Sequence, residues 1–139
     1  MPEETPTELI RRLMPLCATL GIRAGDCTPG QVQLSLDWAP GLCTSNGILH
    51  GGIVMTLADS AAGLCAYLNL PATAQGTATI EGKTNFIAAV RSGTATAVSR
   101  PVHVGSRTIV IETDVRTDDG RLAARTIQTQ AVLAGPAGS

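Results

Sequence analysis

The sequence predicts an α+β domain in which an antiparallel sheet of five or six strands curls around one long buried helix, with a shorter helix at the N-terminus. Three observations support that expectation. Residues Gly51 to about Asn69 form a segment rich in Ala, Leu and Met, too long for a strand and apolar on nearly all sides. β-rich runs follow it, with the turn-forming Thr-Asp-Asp-Gly of residues 117–120 between the last two. The chain has 139 residues, 44% apolar and 15% charged, which suits one domain spanning 1–139 with a core over about residues 22–133.

Thr5-Pro6-Thr7-Glu8 reads as a helix start, with Thr5 as the cap, Pro6 at the first helical position and Glu8 closing a capping box. This helix is expected to run to about Leu20, disturbed at Pro15, and to stop at Gly21. Val32, Leu34, Leu36 and Trp38 then alternate with Gln33, Ser35 and Asp37, the pattern of a half-buried strand. A loop covers Ala39 to Leu49, and the long helix follows. Strands are expected at Thr77–Val90, Thr94–Val104, Arg107–Thr117 and Arg121–Leu133, and residues 134–139 as a flexible tail. A sheet of this kind has two edges, and one of them is expected to pair with a second subunit.

The formal net charge is −1 and neither sign is concentrated, so the sequence offers no electrostatic grip on nucleic acid or an anionic membrane. With one Phe, one Tyr and one Trp, a lone monomer would expose much aliphatic surface, which favours self-association. Cys17, Cys27, Cys43 and Cys65 are scattered, without a Cys-x-x-Cys pair or a nearby His cluster. They read as reduced core thiols of a cytoplasmic protein. The first residues, acidic and lacking an apolar core, do not read as a secretion signal. No uninterrupted apolar run reaches the ~18 residues of a membrane span.

Within the apolar helix only Asp59 is charged. A buried, unpaired carboxylate costs several kcal/mol or takes up a proton, so Asp59 needs a partner or a function. It reads either as a core Asp bonded to neighbouring backbone, or as a general base or nucleophile made more basic by apolar surroundings. Gly51-Gly52 opens the helix, where the first amides have no intrahelical partners and missing side chains let a ligand oxygen approach. That is a ready oxyanion hole, or simply a tight turn. His50 reads as a capping or loop-bracing residue. Ser60 reads as packing, since no Gly-x-Ser-x-Gly elbow surrounds it. With two histidines and no carboxylate at ligand spacing, no metal is expected, and the absence of phosphate-loop and Gly-x-Gly-x-x-Gly signatures argues against nucleotide chemistry.

The stretch Asn46-Gly-Ile-Leu-His-Gly-Gly-Ile-Val-Met-Thr-Leu-Ala-Asp-Ser-Ala resembles the signature of hotdog-fold acyl-CoA thioesterases of the phenylacetate-degradation (PaaI-like) type. That family has His-Gly-Gly with an Asp nine residues after the His, as His50 and Asp59 stand here. The strand sequences around residues 79–93 and 104–133 are similar too, so the likeness runs from about Gly30 to Leu133. The resemblance implies a hotdog fold and hydrolysis of an aryl or medium-chain acyl-CoA to free acid and CoA, without cofactor or metal. It implies Asp59 as the carboxylate that attacks the thioester or activates water, the Gly51 amide as carbonyl donor with Gly52 beside it, and His50 holding the loop. Thr77 or Thr79 matches a hydroxyl that positions water, and Ser106 and Arg107 match residues near the CoA phosphates. Thr44 stands where the family has Asn or Gln, so Asn46 is the candidate to orient the thioester in its place. Ala88-Ala89 replaces a common Arg-Pro, and Gly82-Lys83 stands where several relatives have an aromatic residue.

Two rival readings share the fold: a non-catalytic acyl-CoA-binding protein, and a hydratase or dehydratase, which usually pairs a carboxylate with a His. The spacing of the key residues adds an expectation about assembly. Gly51 and Asp59 lie ~12 Å apart along one helix, too far to serve one carbonyl. Antiparallel helices from two subunits would bring Gly51 of one near Asp59 of the other, in a homodimer or a dimer of dimers (homotetramer).

Overall fold

The fold is that of a computed structural model, which describes residues 2–135. The first helix, α1 (Pro6–Leu13), opens with the capping box that its sequence encodes. Thr5 Oγ1 accepts from the Glu8 amide at 3.2 Å, and Glu8 Oε2 accepts from the Thr5 amide at 2.8 Å. Pro15 divides the helix outright, because it has no N–H to donate, and sits at the first position of the short α2 (Pro15–Thr19). Gly21, at φ 70°, then turns the chain into the sheet.

Six strands follow: β1 (Arg23–Thr28), β2 (Gln31–Asp37), β3 (Ala74–Phe86), β4 (Thr94–Val104), β5 (Thr108–Arg116) and β6 (Leu122–Ala134). They form one sheet in the order β1-β2-β4-β5-β6-β3, with every neighbouring pair antiparallel. The sequence gives no sign of β1. Its residues Arg-Ala-Gly-Asp-Cys-Thr do not alternate, since this edge strand half-buries only Ala24 and Cys27 and carries an irregularity between them. β5 and β6 are joined through the expected turn, with Gly120 at φ 82°.

The helix α3 (Gly51–Leu68) lies in the hollow of this sheet. Leu57, Ala58, Ala61, Ala62 and Cys65 face inward with Val32, Leu34, Leu36, Ala95, Ala97, Ile109 and Ile111, all fully buried in a common core. Each buried Leu, Ile or Val contributes about 1.5–3 kcal/mol, and the alanines let the helix axis approach the strands closely. α3 has 18 residues and a mean hydropathy of 1.3, which meets the length and apolarity of a membrane span, although its inner positions are packed on the sheet.

The helix is not enclosed on all sides. The sheet covers one face, and the chain leaves Gly52, Met55, Asp59 and Tyr67 open on the other. Asp59 is therefore exposed within the single chain, and the burial expected from its apolar context does not hold there.

β3 starts earlier and ends earlier than expected. Residues 87–90 leave the strand and approach the loop before α3, where the Leu49 amide donates to Val90 O at 2.9 Å. Between Thr79 and Glu81 the register slips by one residue at Ile80. That bulge changes which residues face the helix, from Thr77 and Thr79 before it to Gly82 and Thr84 after it. The tail begins later than expected, since Ala134 pairs with Ala74 and the Gly135 amide donates to Thr73 O at 3.3 Å. The tail residues 136–139 lie outside the described residues. All four cysteines are free, and burial pushes the Cys65 thiol up to about 11.

Candidate active site

The inward face of β6 is polar where an apolar one is normal. Thr126, Gln128 and Gln130 are buried, whereas Ile127 between them points outward and is 42% exposed. These three lie opposite Thr84, Gly82 and Thr79 of β3, forming a polar floor beneath the open side of α3. Thr84 and Thr126 share a hydrogen bond of 2.8 Å, and on the neighbouring strands Ser99 and Thr113 share one of 2.6 Å.

Asp59 reaches down to this floor from α3. Its Oδ1 accepts from Gln128 Nε2 at 3.0 Å and from Thr79 Oγ1 at 3.1 Å. Thr79 in turn accepts from Gln130 Nε2 at 2.7 Å, and Gln130 Oε1 accepts from Thr77 Oγ1 at 3.1 Å. Four side chains thus fix one carboxylate oxygen, while Oδ2 has no partner among the described residues. The structure brings Asp59, Thr77 and Thr79 together. It adds Gln128 and Gln130, which sequence reasoning did not single out. Their signal was a period of two in polar residues along a strand, which an apolar-face reading assigns to solvent.

Asp59 stands where two cavities meet. One, of about 540 Å³, has a mostly apolar wall from Leu13, Leu16, Gly63, Leu64 and Tyr67. The other, of about 380 Å³, is walled by Thr56, Thr79, Thr84, Thr126 and Gln128. Among the described residues, Asp59 is the only Asp, Glu, Lys, Arg or His lining either. The arrangement is a fixed carboxylate with one free oxygen between an apolar and a hydroxyl-rich chamber, suited to attack on a carbonyl or to activation of water.

The N-terminus of α3 is built differently. His50 is its N-cap, and Nδ1 accepts from the Gly52 amide at 2.8 Å. A Cβ on residue 52 would come within 3.1 Å of that nitrogen, so glycine permits the cap. The Gly52 amide is thereby occupied, whereas the Gly51 amide has no acceptor among the described residues. Gly51 lines a third cavity, of about 340 Å³, with Thr44 and Phe86. A helix N-terminus with a free amide offers a donor and a partial positive charge to an oxyanion.

Asn46 is not on that wall. It sits at φ 63°, a left-handed conformation that Asn tolerates better than most residues, within a short turn before the helix. Thr44, not Asn46, is the polar side chain beside Gly51. Ser106 and Arg107 lie at the β4–β5 turn and line a separate cavity of about 650 Å³ with residues 71–75. No lining residue is common to the Asp59, Gly51 and Arg107 cavities, so one chain does not assemble these groups around one point. Ser60 Oγ donates to Thr56 O at 2.7 Å and has no His partner. Among the described residues no three His, Cys, Asp or Glu side chains group as metal ligands.

Comparison with known proteins bears on this geometry. The sequence profile of the thioesterase superfamily matches residues 46–124, from the turn before α3 to the start of β6. PA1618 of Pseudomonas aeruginosa is 36% identical over 94 residues, covering 66% of this chain and 65% of that protein, just under two thirds of its length. The crystal structure of a mutant thioesterase PA1618 superposes with a TM-score of 0.86 at 26% identity, covering 96% of this chain and 97% of that one. The 1,4-dihydroxy-2-naphthoyl-CoA hydrolase of Escherichia coli is 32% identical over 87 residues, covering 63% of each chain.

Proposed function

The chain belongs to the thioesterase superfamily, and from that membership we propose that it hydrolyses an acyl-CoA to the free acid and CoA, with Asp59 as the attacking or water-activating carboxylate. The observation that supports this most directly is the asymmetric bonding of Asp59, whose Oδ1 takes both donors. A carboxylate held by one oxygen presents the other in a fixed direction. In one route Oδ2 takes a proton from a water whose oxygen adds to the thioester carbon, and that proton passes to the sulfur as it leaves. In the other Oδ2 itself adds and the thiolate leaves; water then cleaves the mixed anhydride to give the free acid, the Asp59 carboxylate and a proton for the thiolate. The carbonyl oxygen gains charge, and the C–S bond breaks to release the CoA thiol.

The charge on the carbonyl oxygen needs a donor, and the Gly51 amide is the candidate. The ~12 Å between Gly51 and Asp59 along α3 supports a shared site in which the donor comes from a second chain. The open face of α3 supports pairing of two chains there, as does the long edge strand β3, with Ile80 and Phe86 exposed at 59% and 55%. In that dimer Thr44 and Phe86 accompany Gly51 to the partner's Asp59, and His50, bonded to the Gly52 amide, holds the helix terminus in line. Arg107 is the candidate for the CoA phosphates.

A panel of acyl-CoA thioesters scored for free thiol release tests this reading. The wild-type protein should release CoA, and Asp59→Asn should lose ~10²–10⁴ in rate while remaining folded. Near wild-type turnover by the variant would contradict the role of Asp59, and no thiol release from any thioester would contradict the activity.

A further inference from the structure

Asp59, Gly63 and Tyr67 are spaced four residues apart and so share one stripe of α3. One turn beyond the carboxylate the stripe has no side chain, and one turn further stands the Tyr67 ring. An added Cβ at Gly63 would meet no heavy atom within 4 Å, so the gap is open space. The cavity of about 540 Å³ runs through this gap and is closed on the far side by Leu13 and Leu16 from the N-terminal helices. Both leucines and Tyr67 are large apolar surfaces left exposed, at 41%, 54% and 50%. From Asp59 to Tyr67 the stripe measures ~12 Å.

We propose that this groove is the acyl-binding site, that Gly63 sets its depth, and that it takes an uncharged hydrocarbon acyl group reaching towards Tyr67. The proposal rests on the thioesterase reading and adds a substrate class to it. Continuity with Asp59 identifies the occupant: an acyl group whose carbonyl sits at that carboxylate finds on this side the larger volume and the large apolar side chains of Leu13, Leu16, Leu64 and Tyr67. The other chamber meeting at Asp59 is smaller, and Met55 shares its wall with four threonines and Gln128. Among the described residues, Asp59 and Tyr67 are the only ionisable side chains on the groove wall, and neither is a cation. An acyl group ending in a carboxylate would lose its hydration there without gaining a partner.

The experiment compares kcat/KM for acetyl-, hexanoyl-, octanoyl-, phenylacetyl- and succinyl-CoA in the wild type, Gly63→Leu and Leu16→Ala. In the wild type, octanoyl- or phenylacetyl-CoA should exceed acetyl-CoA, and hexanoyl-CoA should exceed succinyl-CoA. Gly63→Leu should lower the octanoyl-to-acetyl ratio by ~10-fold or more, since a filled pocket rejects bulk at this level. Leu16→Ala should lower it less, and because Leu16 is 54% exposed it tests the far end even where Gly63→Leu disturbs folding. The phenylacetyl and octanoyl arms separate an aryl from an aliphatic occupant. An unchanged ratio in both variants, or succinyl-CoA matching hexanoyl-CoA, overturns the groove while leaving hydrolysis intact. A wild type inert on every thioester overturns both.

Discussion

Gln128 donates through Nε2 to Asp59 Oδ1 at 3.0 Å, from a side chain only 1% exposed, so a buried strand residue holds the orientation of a carboxylate on an open helix face. A hydrogen bond to a charged group is worth about 1.5–3 kcal/mol, and 1.4 kcal/mol corresponds to tenfold in rate. Gln128→Met keeps the packing and removes the donor, and is expected to lower kcat about tenfold or more with a smaller effect on KM. Gln128→Glu keeps the size but replaces the donating amide, and is expected to lower kcat at least as far as Gln128→Met. Steady-state kinetics of both variants check this, and wild-type kcat in Gln128→Met would remove Gln128 from the account.

His50 is expected to act through the Gly52 amide and the direction of α3. His50→Ala loses the cap and should cost about 1 kcal/mol of stability together with activity. His50→Asn restores a capping oxygen and should recover most of the stability. Chemical denaturation and thiol release measured on the same samples check the pair. Full recovery of stability with no recovery of rate would assign His50 a direct chemical role.

The outer face of the sheet supplies a pH dependence. Asp114 accepts from Arg125 at 2.7 and 3.1 Å, and these bonds, with the nearby Arg116 and Arg100 charges, hold its carboxyl below the usual range. A depressed folded pKa stabilises the fold above the unfolded value of ~3.9, and that contribution is lost as pH falls through the folded pKa. Arg125→Gln should therefore destabilise the fold modestly at neutral pH, because solvent screens this exposed pair. The difference from wild type should close as pH falls below about 4. Urea titrations at several pH values measure it.

Much of this was legible before the structure. Thr5, Pro6 and Glu8 announce a helix start because capping is local chemistry, and the apolar length of residues 51–68 admits only a helix. Val32, Leu34 and Leu36 declare β2 because one face is fully buried. Other features depend on context that a linear pattern does not contain. β1 half-buries two residues at an edge, leaving no alternation to read. The bulge at Ile80 reverses the facing of β3 midway, so no single period describes it. Gln128 and Gln130 point inward while Ile127 points out, the reverse of what periodicity assumes. Asp59 looked buried because its helix is apolar, yet half of that apolarity faces away from the chain's own sheet.

In the proposed shared site, Asp59 of one chain works with Gly51 of another, and complementation between inactive variants distinguishes this from two independent sites. Gly51→Pro removes the free amide at a first helical position, and His50, at φ −58° and ψ 135°, already has the backbone that a following proline requires. A Cβ at residue 51 would lie 3.1 Å from the Phe86 ring, so folding and dimer formation of Gly51→Pro are checked before mixing. Asp59→Asn and Gly51→Pro should each be nearly inactive alone. When the two are co-refolded, random mixing makes about half the dimers hybrids, each with one intact and one doubly damaged site. Activity should then return to about a quarter of wild type. A mixture that stays inactive, with both variants folded and hybrid dimers confirmed, would contradict the shared site.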